Sequence, residues 1–277
     1  MDGSDHGLFG PDSVTWRVHL EPVLGVAGMR ALLLQSLHPR VMRGTYQNSA
    51  LFDPKKAWAR FERTVEFVNT RTFGSTADVE KIGARVRGLH AGLRGYDPDV
   101  DETFRIDESA GLLWVHCGEI ASYLDIARRA GLLDAAGAER YLAESVRAAE
   151  VVGLDPAVVP STVTQMRHYF DRMRPELYLS DEARIGAGNL FAPKGDMPPA
   201  VKLLISTAAS LGMATLPRWA RRMYGLPGLP TTDLTTSLAL RALCTATGFL
   251  PDVPAPPEVQ EARRIMRATS GTPARAG

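Results

Sequence analysis

The stretch SAGLLWVHCGEIASYLDIARRAG, residues 109–131, decides the fold. Its first half is apolar on nearly every side of a helical wheel, and a glycine stands at its end. These features predict a long buried helix from Ser109 to Ala130, closed by Gly131. A helix that is apolar all round must be covered by other elements, so the stretch predicts a core built around it.

Helical periodicity continues on both sides of this stretch, and the alternation typical of strands is not evident. The segment 184–199 is rich in glycine and proline and is predicted to be irregular. The sequence predicts an all-α protein with one globular domain of about ten helices over residues 12–268, a flexible N terminus at 1–11 and a loose tail at 269–277. Further helices are predicted from near residue 12 and over 26–37, 39–48, 53–72, 75–94, 134–152, 155–174, 199–223, 232–249 and 257–268.

Composition excludes several classes of partner. The 277 residues carry a formal net charge of +1, which gives no electrostatic reason to expect nucleic acid. Cys117 and Cys244 lie in apolar helical runs and are expected to be buried thiols, as in a reducing cytoplasm. The longest apolar run, residues 200–216, contains Lys202 and is too short to cross a bilayer. We therefore expect a cytoplasmic protein without stable membrane insertion.

Several common catalytic motifs are absent from the sequence, which reduces the number of reaction classes to consider. The sequence has no G-x-S-x-G elbow, no P-loop, no H-E-x-x-H and no C-x-x-C pair. No glutamate stands three residues before a histidine, which argues against a di-iron centre in a helical bundle. A single helical histidine aimed into an apolar cavity remains, and this is how many proteins hold haem iron.

His90 is the first candidate for such a ligand. It falls at the edge of an apolar stripe formed by Val79, Ile82, Val86, Leu89 and Leu93. Arg87 and Arg94, three and four residues away, lie on the same side of the helix and could pair with haem propionates. The alternative is a solvated cationic face with a partly buried histidine.

His116 is the rival. It lies in the apolar segment LLWVHCGEI and shares a face with Ile120 and Tyr123. Its role is either that of a buried, hydrogen-bonded histidine or that of the iron ligand. Among the other histidines, His38 is expected to cap a helix before Pro39. His6 is discounted, and His19 and His168 are expected near the surface or behind the ligand.

The segment around Arg60 could form the other side of a haem pocket. Trp58, Phe61, Val65 and Val68 form its predicted buried stripe. Arg60 and Thr64 are four residues apart and stack along one flank, with Arg63 close by. Cations and a hydroxyl beside an apolar wall could decide what bound oxygen does. The alternative is an ordinary amphipathic helix with a charged outer face.

Several stretches together resemble one family. This pattern is similar to the bacterial family that includes the catalytic domain of latex clearing protein and the fungal oxygenase MpaB, and the resemblance extends from about residue 12 to residue 268. The stretches are ALLLQSLHPRV at 31–41, ARFERTVEFVNTRTFG at 59–74, RVRGLHAGLRG at 85–95, LLWVH at 112–116, ERYLAESVRAAEVVGL at 139–154 and LPRWARRMYGLP at 216–227.

The resemblance implies an all-helical fold around one haem b, with oxygen-dependent chemistry such as the cleavage of carbon–carbon double bonds in isoprenoid chains. In such proteins the axial histidine follows an Arg-x-x-x-Thr helix. Arg60 and Thr64 match that pattern, and His90 is the next histidine. Latex clearing protein has a distal lysine within this pattern, where the present chain has Arg63. Arginine does not shed its proton to bind iron, so a lysine-capped resting state is not expected.

The sequence thus predicts a haem-dependent oxygenase for an apolar or isoprenoid-like small molecule, using dioxygen or peroxide, and it leaves open whether a redox partner takes part. His90 is the predicted iron ligand, Arg63 and Thr64 the distal donors, and Arg60, Arg87 and Arg94 the propionate partners. The alternatives are a helical protein that binds haem or another hydrophobic ligand without turnover, and an interaction protein without a cofactor. The oligomeric state is left open.

Overall fold

A computed structural model of the chain describes residues 5–53, 55–195, 197–247 and 255–269. Within these residues the chain forms thirteen α-helices and one two-stranded sheet, which confirms the all-α class. The helices are α1 (Val14–His19), α2 (Leu24–Gln35), α3 (Pro39–Asn48), α4 (Ala57–Phe73), α5 (Thr76–Gly92), α6 (Ser109–Ala130), α7 (Ala135–Val151), α8 (Val163–Met173), α9 (Asp181–Phe191), α10 (Pro199–Thr215), α11 (Arg218–Met223), α12 (Pro230–Thr247) and α13 (Pro257–Thr269).

Helix α6 is the centre of the fold, as the sequence predicted. It packs against α2 and α12, and α2 in turn packs against α10. Trp114, Cys117 and Ile126 of α6 are fully buried in the main core together with Leu33 and Leu34 of α2. The apolar run of α6 therefore supplies much of the interior, although it is not covered on every side as predicted, because Val115 is 37% exposed.

Local signals set most helix ends. Ser75 caps α5 by accepting from the backbone N–H of Asp78, and Asp134 caps α7 by accepting from Gly137 at 2.7 Å. Gly131 follows α6 with φ of 83°, in the left-handed region that glycine adopts at low cost. His38 caps α3 through the backbone N–H of Val41, so its predicted capping role is confirmed. The helix predicted from residue 53 begins at Ala57, and position 54 lies outside the described residues.

Three predictions about secondary structure were wrong. The segment expected to be irregular contains α9, because Ser180 caps a helix whose Gly186 and Gly188 are tolerated inside it. Pro217 divides the long helix expected after residue 199 into α10 and α11, since proline lacks the N–H that a continuing helix needs. Residues after Asp155 form only a 3₁₀ turn, and α8 begins at Val163.

The two strands were not predicted. Strands β1 (Arg94–Asp97) and β2 (Glu102–Arg105) pair antiparallel, with Gly95 opposite Phe104. Each strand has four residues, too few for alternation to stand out in the sequence. The side chain of Arg43 on α3 pairs with Asp97 and with Asp99, which fastens this hairpin to the helical body.

The chain before α1 contacts the rest of the molecule from residue 5 onward, although residues 1–11 were expected to lie outside the domain. Asp5 accepts hydrogen bonds from the backbone N–H and the hydroxyl of Thr76 at the start of α5. Phe9 packs in a second cluster with Trp16, Phe73 and residues of α13.

Helix α10, which contains the longest apolar run of the sequence, is only partly buried. Ala209 and Met213 lie in the core, whereas Leu203 and Leu204 are each 69% exposed. Among the described residues, no helix combines the length and hydropathy that crossing a membrane requires.

Candidate functional site

Helices α4 and α5 run back along each other from the turn at Gly74, so the end of α5 lies beside the start of α4. His90 stands in the last turn of α5. The charged groups that act on its ring are Arg60 of α4 and Asp107, which comes just before α6. Three separate elements therefore meet around this histidine.

His90 is half-buried, and its Nδ1 is buried without a hydrogen-bond partner among the described residues. Burial lowers the pKa of His90, and the nearby Arg60 guanidinium lowers it further. The ring is therefore neutral at physiological pH, which leaves a nitrogen lone pair available. An unpaired buried nitrogen costs free energy, and a functional role is one reason for such a group.

Arg60 and Thr64 are joined directly. The Nη1 of Arg60 donates to the Thr64 hydroxyl at 2.6 Å, so the stacking expected from their spacing is confirmed. The exposed Arg63 donates from Nε to the backbone carbonyl of Ala59. This turn of α4 therefore holds one organised guanidinium–hydroxyl pair and one guanidinium that remains accessible.

The apolar side chains of α4 and α5 are more exposed than the sequence predicted. The expected buried stripe of α4 is not buried, because Trp58, Phe61 and Val68 are partly covered and Val65 is 41% exposed. The stripe of α5 was also mispredicted, since Val79 is buried but Leu89 is 56% exposed. The helices that carry Arg60 and His90 therefore keep accessible apolar surface.

The two other arginines on this side make backbone contacts. Arg87 donates to the carbonyl of Val151 at the end of α7, so its guanidinium lies on the α7 side of α5. Arg94 folds back and donates to the carbonyls of Ala91 and Leu93 at the end of α5. The structure brings Arg94 near the His90 turn and directs Arg87 toward α7.

His116 is 4% exposed, which confirms that it is buried. Its Nε2 also has no hydrogen-bond partner among the described residues. Burial lowers its pKa to about 4, with smaller and opposing effects of Glu119 and Arg71. His90 and His116 therefore lie in different surroundings. Arg60, which is near His90, and Arg71, which is near His116, are about 16 Å apart along α4.

A buried polar cluster behind His116 was not predicted. Arg71 and Glu119 form a two-armed ion pair between α4 and α6, with N–O distances of 3.2 and 2.5 Å. His19 shares a 2.9 Å hydrogen bond with the Tyr141 hydroxyl and stacks on Tyr123 with ring centroids 4.5 Å apart. His19 is partly buried rather than at the surface, and burial lowers its pKa to about 3.

One sequence signal could have revealed this cluster. Glu119 is an acid within an apolar segment, and a buried carboxylate needs a cation as partner. The partner lies 48 residues away, however, and spacing does not identify it. Exposed His168 fits its predicted surface position, and His6 packs edge-on against Trp16.

Among the described residues there is no group of three or more histidine, cysteine, aspartate or glutamate side chains that could hold a metal ion. An iron held through one protein histidine does not need such a group. The donor chemistry here is a neutral imidazole with a guanidinium beside it.

These observations describe a helical protein in which a neutral histidine, His90, lies next to accessible apolar surface. The family model described as ER-bound oxygenase mpaB/B'/Rubber oxygenase, catalytic domain, matches residues 16–249. The chain belongs to this family and contains an oxygenase catalytic domain, as the resemblance in the sequence implied. Comparisons with curated proteins and with solved structures gave no match.

Proposed function

We propose that this protein is a haem b-dependent oxygenase that acts on an apolar or isoprenoid-like small molecule, with His90 as the iron ligand. The observation that carries the proposal is the buried, unpartnered Nδ1 of a neutral His90, on a helix with accessible apolar surface. Membership of an oxygenase family supports the reaction class.

The residues around His90 fit a haem. A metal-binding imidazole must be neutral, and burial together with Arg60 keeps the pKa of His90 low. A planar apolar cofactor would cover surface that water now reaches, including Leu89 and Val65. Arg60 and Arg94 are the proposed partners of the propionates, because guanidinium matches carboxylate geometry. Arg87 would first have to leave the carbonyl of Val151.

When bound, haem would supply an iron centre able to activate dioxygen or peroxide. The chain would supply the surroundings. The Thr64 hydroxyl accepts from Arg60 at 2.6 Å and donates to the backbone carbonyl of Arg60 at 3.2 Å, so it would have to leave that carbonyl to donate a hydrogen bond on the opposite side of the pocket. Arg63 offers a permanent cation there and can only donate. The apolar side chains of α4 and α5 would bind substrate and exclude water.

The test is an absorption spectrum of the full-length protein, as isolated and after reduction with dithionite. The expected result is a Soret band at about 400 nm that shifts on reduction and shifts again with carbon monoxide. His90→Ala should remove stoichiometric haem, whereas the exposed His168→Ala should keep it. Full haem and an unchanged spectrum in His90→Ala would transfer the proposal to His116, whose Nε2 is also unpartnered.

Oxygen consumption by the reduced protein with isoprenoid alkenes separates the oxygenase from a binding protein without turnover. Consumption that depends on substrate is expected. A preparation that haemin cannot restore to a haem spectrum would contradict the proposal.

A further inference from the structure

A small cavity lies behind the Arg71–Glu119 pair, between α1, α4, α6 and α7. Its volume is about 10 Å³, close to the space that one water molecule occupies. The accessible wall is mostly apolar, and the residues that line it also include Thr15, His19, Arg71, Thr72, Tyr141 and Ser145. A buried water needs two to four polar partners, so hydration of this cavity depends on the polar atoms of these side chains.

After the hydrogen bonds around the cavity are assigned, one buried donor has no partner and two hydroxyl oxygens can still accept. The Nε of Arg71 is a buried donor with no partner among the described residues. Thr15 donates its hydroxyl proton to Glu144 at 2.8 Å, and Ser145 donates its own to the carbonyl of Leu142 at 2.7 Å. Both hydroxyl oxygens therefore keep acceptor capacity but have no proton left to give.

We propose that one buried water molecule occupies this cavity. It accepts from Nε of Arg71 and donates to the hydroxyls of Thr15 and Ser145, which gives it the three hydrogen bonds typical of internal water. A chloride ion could not donate to the hydroxyls. A cation would face the Arg71 guanidinium without a free carboxylate, since Glu119 already binds both Nη atoms.

The water would bridge two sets of polar residues, one around Glu144 and the other the Arg71–Glu119 pair. On one side, Glu144 accepts from Thr15 and from the backbone N–H groups of Val14 and Thr15, and so binds the start of α1 to α7. On the other side, the Arg71–Glu119 pair binds α4 to α6. The water completes the solvation of Arg71, whose desolvation opposes its charge. The inference is independent of haem.

A crystal structure of the full-length protein, at a resolution that shows ordered water, tests the proposal directly. Density for a single water within hydrogen-bond distance of Nε of Arg71 is expected. An empty cavity, or density for a larger solute, would overturn it.

Discussion

Arg71 and Glu119 meet through two hydrogen bonds between α4 and α6, with the Arg71 side chain 3% exposed and that of Glu119 15% exposed. Burial acts to raise the pKa of Glu119, but the Arg71 guanidinium outweighs it and holds this pKa below its usual value. The pair therefore stays charged in the interior. It is also the polar link between the helix that carries Arg60 and the central helix of the fold.

Arg71→Met should strongly destabilise the protein, because it leaves the Glu119 carboxylate buried without its partner. The free energy of unfolding is expected to fall by about 3–5 kcal/mol in urea titrations. Arg71→Met combined with Glu119→Leu should recover much of that loss. The exposed pair of Arg184 with Asp181 provides the control, since Arg184→Ala should change stability by less than about 1 kcal/mol. A loss of stability in Arg184→Ala as large as that in Arg71→Met would contradict this account.

Stability should fall in mild acid because of His19. Burial lowers the pKa of His19 from its ordinary value of 6.5 to about 3, so between these pH values the unfolded chain binds a proton that the folded chain rejects. The stabilisation is complete above pH 6.5 and is lost as the pH falls toward 3.

The variant His19→Gln should flatten this dependence. The difference in slope from the wild type should be about 1.4 kcal/mol per pH unit between roughly pH 6 and 4. Urea unfolding at a series of pH values measures it, with exposed His168→Gln as the control. An unchanged slope in His19→Gln would show that His19 is not the titrating group.

Gly95 is required by the hairpin. A Cβ at this position would meet three ring atoms of Phe104, its partner across the strands, all within 2.9 Å. Phe104 is 5% exposed and has little room to move, so Gly95→Ala should cost about 1–3 kcal/mol.

Gly28→Ala is the matched substitution for Gly95→Ala. Gly28 lies inside α2, and an added Cβ there meets nothing within 4 Å. Alanine should stabilise the helix by about 0.5–1 kcal/mol. Thermal or urea unfolding of both variants checks the opposite signs, and a loss at Gly28 as large as that at Gly95 would refute the steric explanation.

Thr64→Val tests the proposed pocket separately from haem binding. Valine keeps the shape but removes the hydroxyl that Arg60 contacts at 2.6 Å. Haem content and stability should be unchanged, because Thr64 is exposed and does not bind iron. Oxygen consumption with substrate should fall about 10–100-fold. Thr64→Ser restores the hydroxyl and should restore most of the rate, and a Thr64→Val enzyme with full activity would exclude the hydroxyl from the reaction.

The sequence by itself determined the helical core and much of the local geometry. The apolar run of α6, the caps Ser75 and Asp134, and the hydrogen bond from Arg60 to Thr64 all follow from spacing within one helix or at its end. These are short-range features, because the 3.6-residue repeat fixes which neighbours can touch.

Only the tertiary structure decided which helix faces are covered and which distant polar groups meet. Arg71 reaches Glu119 across 48 residues, and His19 reaches Tyr141 across 122. Val65 and Leu89 belong to stripes that the periodicity marked as buried, yet no described part of the chain covers them fully. Periodicity shows that a face is apolar, but whether that face is buried depends on the positions of other helices far away in the sequence.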